Sequence, residues 1–142
     1  MKKQNFKNHS RFVIGYHGVT FLAIVALLIG SVINLVKSSS DSLYVSSLLV
    51  LVPVILLVVF FYARSFALKA QDRAIRAEEN FRHYLLTGKP LSDKLTIRQI
   101  IGLRFASDEE FLALVDKAIT ENLSEKEIKQ QVKNWKADNY RV

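Results

Sequence analysis

The 142-residue chain is half hydrophobic yet carries a formal charge of +7, a combination foreign to an ordinary soluble domain, whose apolar runs are interrupted. It has no cysteine, which excludes disulfide frameworks, zinc–thiolate sites and thiol catalysis. Its length suits one compact domain with an anchor and excludes two independent globular units.

Residues 1–11 are basic, with Lys2, Lys3, Lys7 and Arg11. Two apolar blocks follow, 12–36 and 43–62, and neither contains Asp, Glu, Lys or Arg. Each supplies the roughly 20 residues that a helix needs to cross the hydrocarbon core. The first is too long for the core of a cleaved signal peptide, about 7–15 residues. The link "KSSSDS", 37–42, is short and polar, so the two helices are expected to run antiparallel as a transmembrane hairpin.

Basic residues set the expected orientation. Lys2, Lys3, Lys7 and Arg11 precede the first span, and Arg64, Lys69, Arg73 and Arg76 follow the second. The loop has only Lys37, offset by Asp41, so both termini are expected on the cytoplasmic side. Tyr16, Val19, Ala23, Ala26, Gly30 and Ile33 recur at helical spacing and predict the seam of the first span. Ala26 and Gly30 form a small-xxx-small pair, which lets backbones approach closely in lipid. Pro53 removes one backbone donor from the second span and frees the Leu49 carbonyl.

Beyond Tyr62 the helical pattern turns amphipathic instead of ending. Ala63, Ala67, Ala70, Ala74, Ala77, Phe81 and Tyr84 recur in four-then-three steps, a heptad-like stripe. Traced backwards, the same register takes in Phe60, Leu56, Pro53, Leu49 and Ser46. Two partners suit such a face: the chain's own C-terminal helices, the favoured one, or an identical stalk from a second subunit. Asp72 with Arg76, Glu78 with Arg82 and Glu79 with His83 stand at pairing distance. Gly88 and Pro90 mark the helix end.

Three short helices are expected next. Thr96 caps the first, over 97–106, whose buried side carries Ile97, Ile100, Ile101 and Phe105; Gly102 in its middle predicts a close approach. Ser107 and Glu110 form a capping box for the second, with Asp108, Glu109 and Glu110 in its first turn. Phe111, Leu112, Val115, Ala118, Ile119 and Leu123 line its apolar side. Ser124 and Glu127 repeat the box, and Ile128, Val132 and Trp135 make a narrow stripe flanked by Lys126, Lys129, Lys133 and Lys136. That third helix is expected to pack on its neighbours, the alternative being an anionic membrane surface.

Taken together, "NHSR" at 8–11, "QDRAIRAEENFR" at 71–82 and "LTIRQIIGLRFASDEE" at 95–110 resemble a family of uncharacterised bacterial two-span membrane proteins, a domain of unknown function. The resemblance covers nearly the whole chain. It implies the hairpin with cytoplasmic helices and carries no catalytic or binding residue with it.

The residues themselves offer little chemistry. His9, His17 and His83 do not share a spacing, and Glu79 with His83 is a single Glu-x-x-x-His pair without a second copy. Capping and the helix dipole account for Asp108, Glu109 and Glu110. There is no glycine-rich phosphate loop, nucleophile elbow or H-E-x-x-H. Arg73, Arg76, Arg82, Arg98 and Arg104 are left as bridges, to Asp108 or Glu79 for example, or as a surface for lipid headgroups or a partner.

The expectation is therefore an all-α protein in three parts. Residues 1–11 form a basic cytoplasmic segment, 12–62 a two-helix transmembrane hairpin, and 63–142 a cytoplasmic stalk with about three short helices. The expected location is the bacterial inner membrane. The expected partners are the lipid bilayer, anionic headgroups, and a homo-oligomer or larger membrane complex, with no nucleic acid, cofactor, metal or catalytic residue. An interaction or scaffold module fits this best. A pore or transport component using Tyr16, Asn34 and the loop serines is the alternative, and an enzyme acting on membrane lipids the weaker one.

Overall fold

A computed structural model describes residues 4–8 and 12–138. Lys2, Lys3, His9 and Arg11 lie outside the described residues. The fold is all-α: α1 (Phe21–Val36), entered through a π-helical segment Ile14–Thr20, then α2 (Leu43–Thr87), α3 (Ile97–Leu103), α4 (Asp108–Thr120) and α5 (Glu125–Gln131). The chain divides into two compact units. One is Phe12–Ala67; the other joins the N-terminal residues to Leu68–Val142.

In the first unit α1 pairs with the apolar half of α2. The Tyr16 hydroxyl donates to the Phe60 carbonyl and the two rings stack at 4.3 Å. Asn34 Nδ2 donates to Ser46 Oγ at 3.0 Å. Advancing along one helix means retreating along the other, so the pair is antiparallel.

The seam differs from the expected one. On α1 the covered residues are Phe21, Ile24, Leu28, Ser31 and Leu35, while Ala23, Ala26, Gly30 and Ile33 face outward. A Cβ added at Gly30 meets nothing within 4 Å. The reason is the π-helical entry: its wider turn advances the phase of everything after Thr20, so a constant 3.6-residue count started at Tyr16 drifts onto the wrong face. On α2 the covered residues are Ser46, Val50, Pro53, Leu57 and Phe60, leaving Leu49 and Leu56 exposed.

In the second unit the charged half of α2 buries Ile75 and Glu79 and half-covers Asp72 and Arg82. The expected docking of the C-terminal helices on the alanine face is not what occurs. Ala70, Ala74 and Ala77 are exposed, with Phe81 and Tyr84 at 61% and 53%. A methyl group offers little apolar area to bury, whereas one isoleucine side chain is worth about 2 kcal/mol. Ile75 and the ion pairs beside it win the contact.

The caps follow the sequence. Gly88, at φ +73°, closes α2, and Gly88 N–H donates to Tyr84 O at 2.8 Å. Thr96 opens α3 with a capping box to Gln99. The buried Gln99 amide donates to the Leu123 and Ala118 carbonyls at 3.0 and 3.3 Å, which ties the start of α3 to the end of α4. Asn122, at φ 49°, ends α4 in the left-handed region. Ser124 opens α5, donating from both N–H and hydroxyl to Glu127 at 2.7 Å.

Two extents depart from expectation. α3 stops at Leu103, and Phe105 and Ala106 bury in the following turn. α5 stops at Gln131, because Val132 turns extended (ψ 117°) and the Glu110 carboxylate accepts from the N–H groups of Lys133 and Asn134 at 3.1 and 3.0 Å. Trp135 is therefore not on a helix. Nor do the lysines share one face, since Lys129 is buried against Glu125 at 2.5 Å.

Gly102 is where α3 touches α5. A Cβ there would stand 3.0 Å from Ile128 Cγ2 and 3.1 Å from the Glu125 carbonyl oxygen. Backbone on one side leaves no room to give. Gly102→Ala is expected to destabilise the second unit by about 1–3 kcal/mol, read as a lower midpoint in thermal unfolding followed by helical circular dichroism. Gly30→Ala, facing open space, is the control and is expected to leave that midpoint in place.

Candidate functional site

Arg82 is the most heavily engaged side chain of the second unit. Its guanidinium pairs with Glu79 at 3.1 Å and Asp108 at 2.6 Å, donates to the Ala106 carbonyl at 2.8 Å and lies 4.2 Å from the centre of the Phe111 ring. A planar fork of donors reaches the three acceptors and lies over the ring at the same time, a geometry that the point charge of a lysine lacks. Arg82 thus bridges α2 to the α3–α4 turn, as the sequence allowed. Of the helical spacings, Glu78 with Arg82 is not the pair made; the neighbouring Glu79 takes its place.

Glu79 is buried at 7% exposure, and burial pushes its carboxyl above the usual value of 4.5. Arg82 offsets part of that, Lys136 a little more, and Glu78 works the other way. His83, expected beside Glu79, instead sets Nδ1 2.9 Å from the Lys89 carbonyl oxygen. Among the described residues, no three His, Asp or Glu side chains gather to hold a metal ion.

A second cluster surrounds Phe105, which is fully buried. The Trp135 ring stacks on it at 4.4 Å and 18°, and the Arg104 guanidinium lies 4.7 Å from its centre. Lys136 N–H donates to the Phe105 carbonyl at 2.8 Å. Arg104 pairs with Asp138 at 2.8 Å. Gln4 Oε1 accepts from Trp135 Nε1 at 3.2 Å and from Asp138 N–H at 2.8 Å, while its Nε2 donates to the Asp138 carbonyl at 3.0 Å. Residues near the two ends of the chain are thus bound to each other. Gln4 and Asp138 gave no sign of this in the sequence, since no spacing connects residues so far apart.

The third feature is a cleft of about 520 Å³ between α2 and the segment entering α3. Arg73, Arg76 and Asn80 line one side, and Leu91, Ser92, Asp93 and Ile100 the other. Asn80 is fixed there, because its Oδ1 accepts from Leu91 N–H at 2.8 Å. Neither Arg73 nor Arg76 forms an ion pair among the described residues, and the expected Asp72–Arg76 pair is not made. Arg98, the remaining arginine, is exposed and loosely paired with Glu125 at 3.5 Å.

In the first unit the polar side chains proposed for a pathway are engaged between helices, Tyr16 with Phe60 and Asn34 with Ser46.

Comparison with known families matches residues 1–142, the whole chain, to the Family of unknown function (DUF6526). The chain belongs to this family. Comparison with curated proteins gave no match, and comparison with solved structures gave none either. Family membership agrees with the coarser part of the resemblance, a family of unknown function over the whole chain, and assigns no activity to the cleft or to the ion cluster.

The ion cluster makes stability depend on pH with a definite sign. Between 4.5 and the raised value of Glu79, the folded state keeps a proton that the unfolded state has lost. The stabilisation from this group is full below that window and is lost as pH rises through it. Glu79→Gln keeps the buried shape without the titration, so its melting temperature is expected to gain on the wild type as pH rises. Arg82→Ala leaves Glu79 buried with no partner and is expected to cost about 3–5 kcal/mol at neutral pH, seen as a lower denaturation midpoint.

Proposed function

We propose that the protein is a membrane-anchored interaction module without catalytic activity of its own, and that it joins a second copy of itself along the alanine face of α2. One observation carries the second part: Ala70, Ala74, Ala77, Phe81 and Tyr84 remain exposed after the chain's own helices have packed elsewhere. Their four-then-three spacing is that of a coiled-coil seam, and small residues let two helices approach closely. Two copies inserted the same way present this stripe in parallel, so like residues meet.

The anchoring rests on the two apolar helices. Both are long enough to cross a bilayer, and only 11% of the most apolar stretch of each is buried in the fold. A core helix of a soluble protein would be mostly covered; these present leucine, valine and phenylalanine to their surroundings. Antiparallel pairing brings the chain back to the side it left. The bonds from Gln4 to Trp135 and Asp138 support the same arrangement, since they hold residues before the first span and after the second in one unit. The basic flanks, Lys7 before and Arg64, Lys69, Arg73 and Arg76 after, orient that side to the cytoplasm of a bacterial inner membrane.

Because the chain has no cysteine, single introduced thiols report cleanly. Ser39→Cys is expected to react with an impermeant thiol reagent added outside intact cells, and a thiol placed at Lys7 is expected to stay protected. Oxidation of Ala74→Cys in membranes is expected to give disulfide-linked dimers, and a thiol at the covered Ile24 is expected to give none. A strictly monomeric protein with no crosslink at Ala74 would overturn the self-association.

A further inference from the structure

We infer that the cleft beside Arg73 and Arg76 is a binding site for a singly charged phosphodiester, as carried by a phospholipid headgroup. Its donors converge from two elements. Arg73 and Arg76 stand one turn apart on α2 and have no carboxylate partner among the described residues. Asn80 spends its oxygen on Leu91 N–H, which leaves its Nδ2 hydrogens without an acceptor among the described residues. Ser92 accepts from Lys94 N–H at 3.3 Å and keeps its own hydroxyl proton to give. Two guanidinium forks, an amide and a hydroxyl are the donors that a phosphate's oxygens take up.

Charge and lining narrow the class. Arg73 and Arg76 against Asp93 leave one net positive charge, which balances a monoanionic phosphodiester and undercompensates a dianionic phosphate monoester. Half of the lining is apolar, from Ala77, Pro90, Leu91, Leu95 and Ile100. It offers the carbon skeleton next to a phosphodiester a surface that a free inorganic anion would not use. About 520 Å³ is room for a headgroup rather than a single ion.

The lipid source rests on the membrane anchoring proposed above; the phosphodiester chemistry does not.

The full-length protein in a neutral detergent, probed by native mass spectrometry, tests this. Added phosphatidylglycerol is expected to give a one-lipid adduct that falls at least tenfold in an Arg73→Gln/Arg76→Gln variant with unchanged helical circular dichroism. Arg98→Gln, exposed and outside the cleft, is expected to bind as the wild type does. The Arg73→Lys/Arg76→Lys variant keeps the charge and is expected to retain part of the adduct. Soluble glycerophosphoglycerol provides a second arm: arginine-dependent binding of it, with or without the lipid, supports the phosphodiester site. Equal lipid binding by the Gln/Gln variant, or no adduct with either probe, would overturn the site. Both arms read out in detergent, so they stand or fall apart from the topology labelling and the Ala74 crosslink.

Discussion

Which side of α2 faces the rest of its own chain is decided by one partly covered guanidinium. Arg82 reaches Glu79 on its own helix, Asp108 at the start of α4 and the Ala106 carbonyl between α3 and α4. A charge taken out of water needs all of these acceptors, because an uncompensated one costs several kcal/mol. Once Arg82 points at the α3–α4 turn, Ile75, two turns earlier on the same side, is carried into the core with Leu91, Leu95 and Ile100. The opposite side, with its alanines, is left bare. The fold thus sets the ion pairs of Arg82 beside the buried Ile75 and leaves the small residues outside.

The same logic separates what could be read in the sequence from what could not. The caps at Thr96, Ser107 and Ser124 and the stop at Gly88 depend on neighbours within three or four residues, and all appear where they were expected. The close approach at Gly102 was signalled by the glycine itself, although the residues it meets, Ile128 and Glu125, are distant in sequence. The two long helices were equally plain. Their faces were not. On α1, one π-helical segment shifts the phase of the whole helix, and nothing in "IGYHGVT" announces it. On α2, the expected and observed registers share Ser46, Pro53, Phe60 and Ala67, part at the residues between, such as Leu49 against Val50, and share nothing beyond Ala67, where Ile75 and Arg82 are covered and Ala74 and Phe81 are not. A heptad pattern fixes the shared positions and leaves the choice of flank to tertiary contacts.

The C-terminal segment shows a different kind of limit. Val132 and Trp135 continue the stripe of α5 by spacing, yet Glu110 takes the N–H groups of Lys133 and Asn134 and the chain leaves the helix. An acid read as a helix cap thus serves as the anchor of a strap as well. The strap lays Trp135 on Phe105 and meets Gln4. Each of these contacts joins residues distant in sequence, and one glutamate with two uses looks the same on the page as a glutamate with one.

The cleft and the alanine face meet on one helix, and this gives the two proposals a physical connection. Ala77 belongs to both: it lines the cleft with Arg73 and Arg76, and it lies in the stripe with Ala74 and Phe81. Two neighbouring sites on a rigid element are energetically coupled whenever an occupant of one alters the other, and the coupling is reciprocal. A helix seated on Ala74 and Ala77 brings a second Arg73 and Arg76 close to the first pair, and like charges at short range in a poorly hydrated place repel. A phosphodiester on each arginine pair removes that repulsion. If both proposals hold, lipid and self-association favour each other.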